Sequence, residues 1–430
     1  MSGNFGFTPG GDFSDSQRAS GQENLPMIAT QALRDSARNF LGGHSVIPVG
    51  TQDLQSMSDP LAIANNWLDS VTIFPSLSAP RDLAWSRKDW MESTIAGWQK
   101  LVEPLAEGMA TALAELVQGM DFGRSDGSVD GAADADGTKP FPEQVGPAFN
   151  SIMGGIPLSP EGIMPMMRGF MGAMIATQLG QSVGALAITV TGANDVALPL
   201  FTRSETHLIP QNIALWGAGL ELPESEIAIF LALRESAATR LFTHTLWLPE
   251  YMRAAIASYG RGITIDMDAI QRQAEDAISS GALDIENSDS INRAITSGMF
   301  MPEQSTQQAA ALEKLEMALA LIEGWIDHVV ATAAKDRLPS LSALQEVVRR
   351  SRATNSPTQQ LFKSLLNLEV SPRKMRETAI FWGELLTLSG VEVRDHCWED
   401  PALLPKSDEL ADPARFLQST TVPDDLRDLI

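Results

Sequence analysis

The chain has 430 residues, of which 44% are hydrophobic and 20% charged, so it can bury a large core and is not a disordered chain. Its 31 basic and 54 acidic residues give a formal net charge of −23, which excludes charge-driven binding to nucleic acid or to an anionic membrane. The single cysteine, Cys397, excludes an internal disulfide and any zinc module built on several thiolates, and it favours a reducing, cytoplasmic location.

The N-terminal stretch is rich in Gly, Ser, Asp and Asn over residues 1–24 and shows no apolar periodicity. No basic segment followed by an apolar run opens the chain, so a signal peptide is not expected. We predict a mobile leader over residues 1–58, with one possible short helix. An ordered body over residues 59–417 and a tail over residues 418–430 follow it.

The body is predicted to be mainly α, with at most a small β-sheet. Apolar residues recur at intervals of three and four from Asp59 to Val117, which predicts two or three helices. A surface loop with Asp-Gly turns follows at 121–146, and Val196–Leu200 is predicted as a short strand. The helical spacing returns in five later segments: Pro223–Leu246, Gln307–Lys335, Leu341–Arg352, Gln359–Leu366 and Pro372–Leu388.

The segment Gly169–Val190 is apolar and long enough to cross a membrane, and it carries Gly180 and Gly184 at GxxxG spacing. Gln178 and Gln181 interrupt it, and no basic cluster flanks it to set an orientation. We therefore predict a buried helix that packs closely through its glycines, and no membrane span.

Two patterns in the 121–146 loop resemble functional motifs without their required context. Its aspartates could be oxygen ligands for calcium, but the ligand register of an EF-hand is absent, which favours a solvated linker. The GxSxG sequence at Gly123–Gly127 lacks the preceding strand and following helix of a nucleophile elbow. We predict neither a calcium site nor a serine nucleophile in this loop.

Carboxylates on a predicted helix are better candidates for chemistry. Glu323 and Asp327 are four residues apart and share one helix face, with Glu316 near the same line. If this stripe is buried, it needs a metal or arginine partners, because unpaired carboxylates are costly inside a protein. If it is exposed, it is ordinary solvated helix surface.

Motifs rich in aromatic residues are distributed along the body: Trp67-Leu68-Asp69, Ala84–Arg87, Phe230–Trp247, EGWID around Trp325, Phe381-Trp382 and Arg394–Trp398. Together they resemble an actinobacterial family of zincin-like proteins, described as zinc-dependent metalloproteases or hydrolases. The resemblance extends from about Asp59 to Leu417 and implies a zincin-like helical fold.

A zincin mechanism uses a helical HExxH motif, whose histidines bind zinc and whose glutamate activates water, and a later helix that supplies a third ligand. The resemblance places Arg234 and Ala238 at the histidine positions and Glu235 at the general base, so both imidazoles are absent. It places Glu323 at the third ligand and Asp327 at the carboxylate that supports it.

This departure predicts that zinc, the cofactor implied by the resemblance, lacks its usual ligands, and that Arg234 pairs with Glu323 or Asp327 in place of the metal. Two functions are consistent with these residues. One is a peptidase-type hydrolase of weak or no activity, in which Glu235 is the catalytic residue. The other is a non-catalytic binding or scaffold protein that keeps the fold. Either would take a peptide or protein as its ligand.

Overall fold

Helices make up most of the computed structural model, which describes residues 26–77, 83–119, 160–263, 305–355, 361 and 372–420. Eleven α-helices lie within these residues: α1 (Thr30–Gly42), α2 (Thr51–Leu68), α3 (Arg87–Gly119), α4 (Pro160–Ala187), α5 (Pro210–Gly217), α6 (Glu224–His244), α7 (Leu248–Arg261), α8 (Thr306–Ala334), α9 (Leu341–Asn355), α10 (Pro372–His396) and α11 (Pro413–Thr420). Pairing of β type in this part of the chain is limited to two isolated bridges, from Leu208 to Ala84 and to Gly192. The predicted class, mainly α with at most a small sheet, is confirmed.

Several predicted segments lie outside the described residues. They are residues 1–25 of the leader, the 121–146 loop, the Gln359–Leu366 helix apart from Leu361, and residues 421–430 of the tail. Predictions about these segments stay predictions.

The two helices that carry the candidate acids begin where the local sequence signals place them. Pro223 precedes the first turn of α6, where its fixed φ suits a helix start. At the start of α8, Ser305 accepts a hydrogen bond from the Gln308 backbone, and the Gln308 side chain bonds back to Ser305. Both helices closely match their predicted bounds.

The first helix, α1, packs along α4 at two glycines. The backbone of Leu33 lies against Gly180 and the ring of Phe40 lies against Gly184, so closely that a Cβ at either glycine would collide. This contact agrees with the predicted close packing through glycines. Helix α4 is only partly buried, however, because Phe170 and Met174 are exposed, so the prediction of a buried helix is wrong on that face. The predicted boundary after residue 58 falls inside α2, and α1 buries apolar side chains in the core, so residues 26–58 belong to the helical body.

Val196–Leu200 does not form the predicted strand; the chain turns there instead. The turn begins at Thr191, whose backbone amide and hydroxyl both donate to Asp195 Oδ2, at 2.8 and 3.0 Å. Ala197 then takes a left-handed conformation, with φ of 56°, which an extended strand does not allow. Local side-chain hydrogen bonds have outweighed the strand preference of the apolar residues.

Helix α8 lies at the centre of the body and contacts α2, α6, α7 and α10. Among the described helices, α8 is the one long and apolar enough to cross a membrane, but 78% of its apolar window is buried inside the protein. Contact with four other helices accounts for its apolar composition, since a helix covered on all sides needs no polar face.

A buried ion pair joins the end of α10 to two other parts of the body. Arg394 Nε and Nη2 donate to the two carboxylate oxygens of Asp395 at 2.8 and 2.9 Å, and both side chains are 0% exposed. Asp395 also accepts hydrogen bonds from Thr72 Oγ1 at 2.7 Å, the Ile73 amide at 3.0 Å and Trp325 Nε1 at 2.9 Å. We call Arg394, Asp395, Thr72 and Trp325 the Arg394 cluster. It connects α10, α8 and the segment after α2.

Cys397 follows this cluster at the end of α10 and is buried. Burial raises the pKa of its thiol to about 12, with the charge of Asp395 adding to the effect. The thiol therefore stays protonated near neutral pH and is a poor nucleophile.

Candidate functional site

Helix α6 carries two adjacent candidate residues that face different neighbours. Consecutive positions on an α-helix point about 100° apart. Arg234 reaches α8, whereas Glu235 reaches the turn that begins at Thr191. Both lie in a stretch of α6 that is buried on nearly every side. The two residues therefore form separate centres, although they are neighbours in the sequence.

The guanidinium of Arg234 lies between the two acids of α8. Its Nη2 atom donates to Glu323 Oε2 at 3.1 Å, and its Nη1 atom makes a short hydrogen bond to Asp327 Oδ1. The Arg234 and Glu323 side chains are each 10% exposed, and that of Asp327 is 28% exposed. These three residues, the Arg234 cluster, link α6 to α8.

The two acids of this cluster stabilise the positive charge of Arg234. Burial lowers the pKa of the Arg234 guanidinium, but the negative charges of Asp327 and Glu323 outweigh it and raise the pKa above its ordinary value. Asp195 lies near enough to add to this increase. Because a guanidinium keeps its proton at any physiological pH, the cluster contains a permanent cation.

Glu235 is held by a single residue of the 191–195 turn. The Asn194 backbone amide donates to Glu235 Oε2 at 2.9 Å, and the Asn194 side-chain amide donates to Oε1 at 2.8 Å. The same side-chain amide reaches Thr239 Oγ1, one turn further along α6, at 3.0 Å. Gly192 lies directly against the carboxyl group, where a Cβ would collide with it. Glu235 is 3% exposed, so the turn covers it almost completely.

The environment of Glu235 determines its protonation. Burial raises the pKa of its carboxyl group to about 8, although the hydrogen bonds from Asn194 oppose the shift. The nearby charge of Asp195 raises the pKa further, and a backbone hydrogen bond from His207 lowers it. The raised pKa favours the protonated form of this group near neutral pH. A carboxyl group that already holds a proton cannot take one from water.

The turn over Glu235 is fixed by backbone pairing with a second segment. Ala193 donates to the His207 carbonyl and Ile209 donates to the Thr191 carbonyl, both at 2.9 Å. On the other side of this segment, Leu208 donates to the Leu83 carbonyl at 2.9 Å. The turn that covers Glu235 is therefore hydrogen-bonded to residues 207–209, which in turn are hydrogen-bonded to Leu83.

Sequence reasoning did not identify Asn194, Gly192 or His207 as parts of this centre. The break at Thr191–Asp195 was visible as turn-forming residues, but its contact with α6 depends on pairing between distant segments. The His207 ring stacks on Trp85 with centroids 3.7 Å apart, a contact that no local pattern indicates.

Two other histidines, His244 and His328, lie on these helices. His244, at the end of α6, stacks on Phe74 with centroids 5.2 Å apart, and its Nδ1 lies 2.8 Å from the Arg240 carbonyl. His328, on α8, lies beside Gly383 of α10. These positions agree with the helical geometry, which points both rings away from the stripe of α8 acids.

Zinc, the cofactor that the resemblance implies, does not fit the donors present. A catalytic zinc site needs three protein ligands with lone pairs, and neither the guanidinium of Arg234 nor the methyl group of Ala238 offers one. The cationic side chain of Arg234 is hydrogen-bonded to both candidate carboxylates. Among the described residues, no group of three or more His, Cys, Asp or Glu side chains could hold a metal ion.

Comparisons with known proteins connect this geometry to a family. No curated protein matches the chain. In fold, the chain is similar to the crystal structure of "a putative hydrolase with a novel fold" from Chloroflexus aurantiacus, with a TM-score of 0.55 and 15% sequence identity. The likeness covers 91% of this chain and 98% of that one, and at such identity it shows the fold alone. Residues 28–417 match the family model described as zincin-like metallopeptidase, and the chain therefore belongs to that family.

Proposed function

We propose that this protein is a non-catalytic member of the zincin-like metallopeptidase family, which keeps the family's fold as a binding or scaffold protein. The observation that carries the proposal is the enclosure of Glu235 by Asn194 and Gly192. A residue placed as the general base must reach a water molecule and accept its proton. Glu235 is covered, and burial raises the pKa of its carboxyl group, which favours the protonated form that cannot accept a proton.

The Arg234 cluster supports the same proposal independently. A zincin hydrolase combines the general base with a Lewis acid that polarises the substrate carbonyl. Here the donor set is unsuited to zinc, and Arg234 is hydrogen-bonded to both acids of α8. Neither half of the expected mechanism is in place at α6.

A peptide or protein segment is the ligand we propose, because the family is described by its action on peptides. A cytoplasmic location belongs to the same proposal and rests on the single, buried cysteine. A weakly active hydrolase, in which Glu235 becomes exposed and acts as the base, is the competing function.

Peptide hydrolysis by the purified full chain tests this proposal. We expect no cleavage of a mixed peptide library, followed by mass spectrometry with and without added zinc, beyond that given by Glu235→Gln. This variant is the matched control because it removes the proton-accepting group and keeps the size of the side chain. Cleavage by the wild-type chain that disappears in Glu235→Gln would establish the hydrolase instead.

A further inference from the structure

We propose that the guanidinium of Arg234 is a built-in cation that joins α6 to α8 where a zincin would use a metal ion, so that the fold needs no divalent metal. The proposal concerns what holds the site together and is independent of whether the chain hydrolyses peptides. It rests on the geometry of Arg234, Glu323 and Asp327.

The shape of the guanidinium suits this position. It is planar and presents its donors as a fork, so that Nη1 and Nη2 contact different carboxylates at the same time. Glu323 and Asp327 are one helical turn apart on α8 and face α6 together. A lysine ammonium is a single point charge and does not reproduce such a fork.

The charge of this position also requires a cation. Glu323 is nearly buried and Asp327 is only 28% exposed, so two carboxylates are held close together away from most of the solvent. Two carboxylates that contact the same guanidinium repel each other unless a positive charge lies between them. Asp195 adds a further negative charge nearby, as its effect on the pKa of Arg234 indicates. Arg234 supplies the compensating charge from within the chain.

Arg240, six positions further along α6, shows that this arrangement is specific to Arg234. Its guanidinium donates to the backbone carbonyls of Phe74 and Asn65, at 3.1 and 2.9 Å, and to a single acid, Asp69, at 2.7 Å. The Asp69 side chain is 55% exposed, so water also stabilises that acid. Arg240 joins the end of α2 and the segment after it to α6, without neutralising a pair of enclosed carboxylates.

Chemical rescue of a truncated arginine tests the proposal. We expect Arg234→Ala to lower the melting temperature by about 5 °C or more, because two enclosed carboxylates lose their cation. Ethylguanidinium at low millimolar concentration should recover at least about half of this loss, measured against an equal concentration of sodium chloride. The triple variant Arg234→Ala, Glu323→Gln, Asp327→Asn is the matched control, and its melting temperature should not respond to ethylguanidinium.

The same measurements can overturn the proposal. An Arg234→Ala variant that melts like the wild type would do so, as would an equal response to ethylguanidinium in the triple variant. If Arg234→Ala does not fold, Arg234→Lys takes its place: it should melt below the wild type, and an unchanged melting temperature would refute the bridging role. Elemental analysis of the wild-type chain is independent of any variant. We expect less than about 0.1 zinc per chain and no change in melting temperature with EDTA, whereas one zinc per chain would refute the built-in cation.

Discussion

Arginine and carboxylate side chains meet on two opposite faces of α8. The Arg394 cluster and the Arg234 cluster differ in their balance of positive and negative charge. Glu323 and Trp325 are two positions apart, so they point about 200° apart around the helix. On the Trp325 side, Arg394 and Asp395 form a fully buried pair in which one carboxylate receives hydrogen bonds from several donors. On the Glu323 side, one guanidinium is divided between a buried carboxylate, Glu323, and a partly exposed one, Asp327.

The comparison separates an ion pair that is balanced in charge from one that stands where the family resemblance implies a metal ligand. A buried pair is stable when its remaining lone pairs and protons are satisfied. Asp395 comes close to that condition, whereas Nη1 of Arg394 has no hydrogen-bond partner among the described residues. The Arg234 cluster has more acid than base, and its acids stand where the family resemblance places a metal ligand and its support. An excess of carboxylate agrees with the proposal that a single guanidinium takes the place of a divalent ion.

The largest expected effect on stability comes from changing aspartate to asparagine in the Arg394 cluster. The same change in the Arg234 cluster serves as the comparison. Asp395→Asn should lower the free energy of unfolding by about 3–5 kcal/mol, because it leaves the buried guanidinium of Arg394 without its counter-charge. Asp327→Asn should cost less than about 1 kcal/mol, because Glu323 remains beside Arg234 and Asp327 is partly solvated. Urea unfolding of both variants measures the difference. Equal losses would mean that the two clusters are energetically alike.

An intermediate effect on the free energy of unfolding is expected when a change in pH titrates the covered carboxyl group of Glu235. The pKa of Glu235 is raised to about 8 in the folded chain, above its ordinary value of 4.5. The folded state thus binds this proton more tightly than the unfolded state. The stability that it contributes is complete below about pH 4.5 and is lost as the pH rises towards and through 8.

Glu235→Gln isolates this contribution, because every other titrating group is common to both proteins. Between pH 5 and pH 9 the wild type should lose about 4 kcal/mol more than Glu235→Gln in its free energy of unfolding. Denaturant unfolding across this range measures both profiles. Parallel profiles would show that Glu235 titrates normally and is not enclosed.

The smallest of these effects on stability is expected at Gly192, the glycine that covers the Glu235 carboxyl group. Gly192→Ala should cost about 2 kcal/mol, because its Cβ would press on the Glu235 side chain and displace the turn. Gly42→Ala at the end of α1 is the control: no atom lies within 4 Å of its added Cβ, so its stability should change by less than about 0.5 kcal/mol. A Gly192→Ala variant as stable as this control would contradict the close cover.

Long periodic helices could be predicted from the sequence, and the cover over Glu235 could not. The bounds of α6 and α8 follow from apolar spacing and end signals that lie within a few residues. The four-residue spacing of Glu323 and Asp327 likewise fixes their common face on α8. In contrast, the hydrogen bonds from Asn194 to Glu235 join positions 41 apart and depend on where a turn settles against a helix.

The Arg394 cluster was recognisable only as a motif. Residues adjacent in a helix normally diverge, so no spacing rule predicts that Arg394 and Asp395 pair with each other. Helix α10 is interrupted at Gly390, where φ is 85°, a value that few residues other than glycine adopt. The last turn is thereby set apart from the rest of the helix. The predicted helix ends at Leu388, just before this break, so Arg394 and Asp395 lay beyond the pattern used for prediction.

Burial of the thiol at the end of α10 makes the protein insensitive to thiol oxidation. With one cysteine in the whole chain there is no partner for an internal bridge, and Cys397 is both enclosed and protonated. Electrophiles and peroxides attack the exposed thiolate form, which this side chain rarely offers. A shift in the redox potential of the surroundings should therefore leave the folded body unchanged.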